Sequence, residues 1–315
     1  MTLACALLLA LLPAAFVVAR AEGGKCGDDL TWTLENGTLT ISGTGDMYDY
    51  DYNDLAPWGT FGVFEINIGE GVTSIGNMAF EWCCDLSGVT IPDGVKSIGN
   101  SAFAHCTYMT SVTIGNGVTT IGKWAFFGCT GMTTLKLGSS VESIGYLAFC
   151  DCRNLTGVKL PKSLTNIDDW AFYRCEGLTS VTIPESVTSV GDFAFYNCYN
   201  LASVKMGKNV EDIGDGAFHY NDWETNDTKK PLGVKFSVYK DSYAHKYAKN
   251  NGFKRKLLKE PETASGFVKI AVIAGPALLA VAAAVVLFIV LRKKKKKRAA
   301  LAEAPEEAEE KTEEN

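Results

Sequence analysis

SIGNSAFAHC, residues 97–106, returns in close copy as TIGKWAFFGC at 120–129 and SIGYLAFCDC at 143–152. The Ala-Phe pair at its centre stands at 79–80, 102–103, 125–126, 148–149, 171–172, 194–195 and 217–218, in steps of 23 residues. Three positions after Phe come Cys83, Cys106, Cys129, Cys152, Cys175 and Cys198, while the seventh copy has Asn221. The unit reads L-x-x-V-x-I-P/G-x-x-V-x-x-I-G-x-x-A-F-x-x-C. V-x-I alternates with period two, so each unit is expected to hold one short strand, at 66–68, 89–91, 112–114, 135–137, 158–160, 181–183 and 204–206. Like strands one turn apart pair in parallel, about 4.8 Å from their neighbours. The Ile, Ala and Phe of successive units then stack into a core that no unit could bury alone.

A fixed period of about 20 to 29 residues with this apolar spacing marks a leucine-rich-repeat solenoid. The V-x-I-P, I-G-x-x-A-F and C-x-x-L elements resemble the BspA-type leucine-rich-repeat proteins of microbial surfaces. Residues 26–58, CGDDLTWTLENGTLTISGTGDMYDYDYNDLAPW, resemble the N-terminal cap of bacterial members, and the likeness extends over roughly residues 26–258. The expected fold is α/β: a leucine-rich-repeat solenoid, a parallel β horseshoe of mostly strand and short turns. It carries an N-terminal hairpin cap, a C-terminal strand-helix-strand cap and one C-terminal transmembrane helix.

The boundaries follow from composition and register. Residues 1–21 read as a signal peptide, ending at Ala19-Arg20-Ala21. Residues 22–65 form the N-terminal β cap, where Leu30–Leu34 and Thr38–Ser42 flank a turn at Gly37. The repeats run over 66–226. The C-terminal cap covers 227–259, with a strand at Val234–Phe236, a short helix over Asp241 to Asn250 stopped by Asn251-Gly252, and a strand from Phe253 to Leu258. After a linker at 260–269, the uncharged run 270–291 has the length of a bilayer-spanning helix. Arg292 to Arg298 are all basic and predict the orientation: N-terminal ectodomain outside, C-terminus in the cytoplasm, at the cell membrane in a single pass. Residues 292–315 are a basic, then acidic tail. Glu260 to Ala264 is a distant match to the L-P-x-T-G motif of sortase substrates.

The cysteine column admits metal binding, disulfide bonding or packing. A zinc site needs ligands converging on one point; cysteines one turn apart form a line, so no metal is expected. The turn spacing falls within disulfide range, but parallel Cβ vectors are poorly aimed at each other. Free Cys packs as a small hydrophobe. The expectation is a buried, reduced structural ladder of Cys83, Cys106, Cys129, Cys152, Cys175 and Cys198.

The sequence has no G-x-S-x-G, H-E-x-x-H or P-loop and only three His, so no enzyme activity, catalytic residue or cofactor is expected. Asp168-Asp169, Asp192 and Asp215 recur at one site of the unit and read as a solvated acidic edge. The outward column of the strands is Asn67, Thr90, Thr113, Lys136, Lys159, Thr182 and Lys205. Two further columns flank Ala-Phe and are rich in aromatics, among them Trp124, Trp170, Phe193, Tyr173 and Tyr196. Candidate ligand contacts are Lys136, Lys159 and Lys205 on the strand face, Tyr173 and Tyr196 beside it in the turn, and Trp223 in the insertion. The formal charge of −6 shows no basic bias, and no nucleic-acid partner is expected. The resemblance implies a membrane-inserted, non-enzymatic surface protein that adheres to host cells, matrix proteins or glycans through an extracellular protein or glycan ligand. The alternative is a structural or self-assembling envelope protein without a host ligand.

Overall fold

The V-x-I of six of the seven units forms a strand, and strands that pair register one full unit apart. The computed structural model describes residues 22–59, 62–222 and 227–259. On one side of the turns lie Glu65–Ile68, Gly88–Ile91, Ser111–Ile114, Thr134–Lys136, Ser180–Ile183 and Ser203–Met206. They pair in parallel, Val89 with Val112 and Val112 with Leu135, so apolar positions stack inward and the residues between them face out.

This sheet is interrupted, and proline explains where. The position after V-x-I holds Gly69, Pro92, Gly115, Gly138, Pro161, Pro184 and Gly207. Where it is Gly the N–H can reach back to the preceding turn, from Gly69 to the Ile41 carbonyl at 2.9 Å and from Gly207 to the Ile183 carbonyl at 3.0 Å. A Cβ at 115, 138 or 207 would collide with the backbone of that turn. Proline has no N–H to donate. The strands preceding Pro92 and Pro184 do not pair with the turn before them, and the expected strand at 158–160, before Pro161, is reduced to a single Leu135–Val158 bridge.

The expectation of one strand per unit also needs correction. A second sheet of eight parallel strands runs unbroken, from Gly45–Asp46 and Val72–Ile75 through Ser97–Ile98, Thr120–Ile121, Ser143–Ile144, Asn166–Ile167 and Ser189–Val190 to Asp212–Ile213. Most of its members are two residues long. So short a segment shows no periodicity, and the pairing arises only because the turns are in register.

The remaining side is a ladder without strands. The residue before Ala and the second residue after Phe are left-handed: Met78, Ser101, Trp124, Leu147, Trp170 and Phe193 in one column, and Trp82, His105, Asp151, Arg174 and Asn197 in the other. Each such non-glycine residue costs about 1–2 kcal/mol. The reversals aim alternate N–H groups along the solenoid axis: Met78, Phe80 and Trp82 donate to the carbonyls of Asn100, Ala102 and Ala104 in the next turn, at 2.7–2.9 Å. The same bonds recur at each turn and offset the strain.

Inside, Phe80, Phe103, Phe126, Phe149, Phe172, Phe195 and Phe218 are fully buried and stack ring on ring, with centroids 4.9–5.3 Å apart. Trp58 closes the front of the stack at 5.4 Å from Phe80, and its indole N–H donates to the Ala79 carbonyl at 2.9 Å. Phe236 closes the back, edge-on to Phe218 at 5.2 Å.

The front cap is the expected hairpin, Leu30–Glu35 with Thr38–Gly43, turning at Asn36 (φ 51°) and Gly37 (φ 78°). This two-residue turn with both φ positive suits the strand twist. At the back, His219–Asp222 and Asp227–Pro231 form an antiparallel hairpin that the sequence did not suggest. Lys235–Tyr239 then resumes the strand column, followed by the helix α1 (Tyr243–Asn250) and the strand Lys254–Leu258. Ser242 caps α1 by accepting the His245 N–H at 3.1 Å.

Two expectations are corrected here. Among the described residues the fold is a β-solenoid with one short helix, not an α/β horseshoe: α1 has eight residues, and no helix there is long and apolar enough to cross a membrane. The single-pass placement at the cell membrane is corrected with it, since no helix among the described residues could carry it. The segments read as a signal peptide (1–21), linker (260–269), span (270–291) and tail (292–315) lie outside the described residues.

Removing one ring from the stack tests its weight. Phe149→Ala should lower stability by roughly 3–5 kcal/mol and Phe149→Leu by clearly less. Urea unfolding measures both, and a loss within about 1 kcal/mol for the alanine variant would refute a stack that carries the core.

Candidate functional site

The outward residues of the strand side divide by charge. Lys136, Lys159 and Lys205 are exposed there. Register carries the same column into the cap: Lys205 pairs with Ser237 and Ser203 with Lys235, while Lys254 and Lys256 lie beside Lys235 and Ser237. The C-terminal half of this face therefore presents Lys136, Lys159, Lys205, Lys235, Lys254 and Lys256. None of them forms an ion pair among the described residues, where the three pairs join Arg153 and Arg174 to Asp151 and Arg174 to Glu176.

Both proline interruptions that fully unpair the strands open a groove on this face. The one at Pro184, about 920 Å³, is lined by Lys159, Lys162, Thr182, Lys205, Asn209 and one carboxylate, Glu185, which accepts the Lys208 N–H at 2.8 Å. The one at Pro92, about 810 Å³, is lined by Glu65, Asn67, Glu70, Thr90, Pro92 and Thr113 and has no lysine. A chain of net negative charge thus carries one basic groove and one acidic groove on one face. Sequence reading missed Lys235, Lys254 and Lys256 because the insertion hides the register of the last two strands. It missed the grooves because V-x-I-P and V-x-I-G look alike as strands; the missing N–H was the available signal.

Tyr173 and Tyr196 do not join the lysines. They lie on the left-handed side, stacked on each other at 5.8 Å, with Tyr196 buried and edge-on to Phe193 at 5.2 Å. Trp170 stacks on Phe193 at 4.4 Å in the same cluster. Trp223 lies outside the described residues.

The cysteine column has a bonding role beside its packing role. The thiols of Cys106, Cys129, Cys152, Cys175 and Cys198 donate to the carbonyls of Phe80, Phe103, Phe126, Phe149 and Phe172, each in the preceding turn, at 3.2–3.3 Å. All nine described cysteines are buried, and none of them is joined in a disulfide. Burial pushes the Cys83 thiol up to about 12, and it raises Cys106, Cys152 and Cys175 well above the ordinary value. Such thiols are poor nucleophiles and poor metal ligands.

The recurrent acidic site is a backbone ladder. Asp169 Oδ1 accepts the Asp192 N–H at 2.7 Å and Asp192 Oδ1 accepts the Asp215 N–H at 2.6 Å, as Asn77 and Asn100 do in earlier turns. Among the described residues no group of three or more His, Cys, Asp or Glu could hold a metal ion.

A parallel solenoid of this unit, with a polar strand face, defines a leucine-rich-repeat protein. The sequence profile of the BspA type leucine-rich repeat region matches six copies, over residues 60–154 and 96–225, more than half of the chain. The chain belongs to the BspA-type leucine-rich-repeat family, whose members are cell-surface-associated and in general bind without catalysing. It is similar to a solved leucine-rich repeat protein from Eubacterium ventriosum, with 25% identity over 71% of this chain and 67% of that one and a TM-score of 0.47. The leucine-rich repeat protein TpLRR of T. pallidum is 21% identical over 79% and 99%, with a TM-score of 0.43. A leucine-rich cell surface protein from Faecalibacterium prausnitzii is 19% identical over 79% and 97%, with a TM-score of 0.34. No curated protein matches.

The raised thiol sets a pH dependence. The folded state holds the Cys83 proton up to about pH 12, whereas the unfolded thiol releases it near 9. This contribution to stability is full below pH 9 and is lost as pH climbs toward 12. The urea midpoint should fall between pH 8.5 and roughly 10.5, and the fall should be smaller in Cys83→Ala. At pH 8 the peptides carrying these cysteines should resist alkylation until denaturant is added. Ready labelling of the folded chain would contradict the buried ladder.

Proposed function

We propose that this chain is a non-catalytic surface-binding protein that engages an extracellular protein or glycan carrying negative charge, along the C-terminal half of its strand face. The observation that carries the reading is the set Lys136, Lys159, Lys205, Lys235, Lys254 and Lys256, none in an ion pair among the described residues, with the Pro184 groove within it. These lysines, without an acidic partner among the described residues, are available to a ligand, and an extended ligand meets several at once. Each exposed contact is worth only a few tenths to about 1 kcal/mol, so affinity accumulates over the face. Charge complementarity of this kind raises the association rate and weakens with salt. Adhesion to host cells or matrix is the biological role this binding fits.

The test compares the full-length chain with a Lys136→Ala, Lys159→Ala, Lys205→Ala variant on immobilised acidic mucin and on a neutral glycan support. The wild type should bind the acidic support, lose binding as salt rises, and bind roughly tenfold more tightly than the variant. Equal binding by the two proteins, or binding insensitive to salt, would remove the lysine face from the account. A wild type that binds only itself, by light scattering, would favour envelope assembly.

A further inference from the structure

On the left-handed side, between the front cap and the third turn, lies a cavity of about 540 Å³ lined by Tyr52, Glu81, Ser101, Ala104, Trp124 and Phe127, among others. That volume suits a small ligand. Its origin is a gap in the aromatic columns. In the later turns the positions flanking Ala-Phe are filled by Trp170 and Phe193, stacked at 4.4 Å, and by Tyr173 and Tyr196, stacked at 5.8 Å. In the second turn the same positions are Ser101 and Ala104. Two rings are missing from the ladder there, and the space next to Trp124 and Phe127 is open.

The walls of the gap are fixed. Tyr146 holds Trp124 edge-on at 5.5 Å. His105 lines the cavity too, stacked on Trp82 at 3.9 Å and edge-on to Phe127 at 5.1 Å. Trp124 and Tyr52 remain exposed, at 39% and 77%.

The polar groups are uncommitted. The Oδ1 atoms of Asn77 and Asn100 accept the N–H groups of Asn100 and Lys123 at 2.6 and 2.9 Å, which leaves their NH₂ groups as donors. Glu81 is half-buried; its N–H donates to the Met78 carbonyl at 3.3 Å, and its carboxylate has neither a hydrogen bond nor an ion pair among the described residues. Burial raises its carboxyl above the usual range.

We infer that this cavity binds a pyranose ring of a neutral glycan, its flat face against Trp124, its hydroxyls accepting from Asn77 and Asn100 and donating to Glu81. A ring with equatorial hydroxyls offers a flat C–H face to the aromatic wall and polar groups at its rim, which matches the two kinds of surface present. The site shares no residue with the lysine face, so either can fail without the other.

The probe is cellotetraose, titrated into the full-length chain while tryptophan fluorescence is followed. Tetramethylammonium and a heparin-derived tetrasaccharide serve as cationic and anionic comparisons. A saturable cellotetraose response is expected, weakened at least about tenfold by Glu81→Gln and abolished by Ala104→Tyr, which supplies the missing ring from within. Because Ala104 is buried, Trp124→Ser at an exposed wall provides a second variant, with circular dichroism to show that each is folded. Lys159→Ala with Lys205→Ala should respond as wild type. No saturable response to cellotetraose, a response to tetramethylammonium in its place, or an undiminished response in folded Ala104→Tyr or Trp124→Ser would overturn the inference.

Discussion

The carbonyls of Phe80, Phe103, Phe126, Phe149 and Phe172 each take hydrogen from two turns at once, and the solenoid depends on it. Phe80 O accepts the Cys83 N–H of its own turn at 3.3 Å and the Cys106 thiol of the next at 3.2 Å. A buried carbonyl left short of partners costs about 1–3 kcal/mol, so a change in the Phe-x-x-Cys spacing or in the length of a turn would be penalised repeatedly along the chain. The same register brings the Phe rings into stacking distance and aligns the Asn/Asp ladder outside. One local geometry is thereby enforced by bonds on every side of the turn. It is also why the chain tolerates so many left-handed residues, whose N–H groups are held by the adjacent turn.

Sequence carried the repeat because its strongest signals, Ala-Phe and V-x-I, are also the most buried residues, and burial leaves a periodic imprint. Period, turn, core ring and front hairpin could all be read in that way. The second sheet and the left-handed columns could not. Two-residue strands have no period, and Met78, Trp124 or Leu147 at positive φ break the usual preference for Gly or Asn. Tertiary hydrogen bonds override local preference at these positions.

The candidate sites were legible in part. Lys136, Lys159 and Lys205 could be aligned from the period alone, since the residue between two buried ones must face out. Their extension to Lys235, Lys254 and Lys256 required the structure, because the hairpin at 219–231 resets the register. The aromatic columns were visible as a composition, but whether they fill themselves or leave space depends on which turn holds small residues. Ser101 and Ala104 carry the information by being unremarkable.

The phenylalanine stack and the prolines constrain the molecule differently. Every interior layer of the stack meets the same neighbours, so the interior is indifferent to how many layers there are; Trp58 and Phe236 end it wherever it stops. The proline breaks are individual. Duplication or loss of one unit between Pro92 and Pro161 would leave the core intact while shifting the acidic and basic grooves apart or together by about 4.8 Å, one turn. The solenoid is in that sense an adjustable ruler, with two marks of opposite charge whose separation can change by recombination without any new packing being invented.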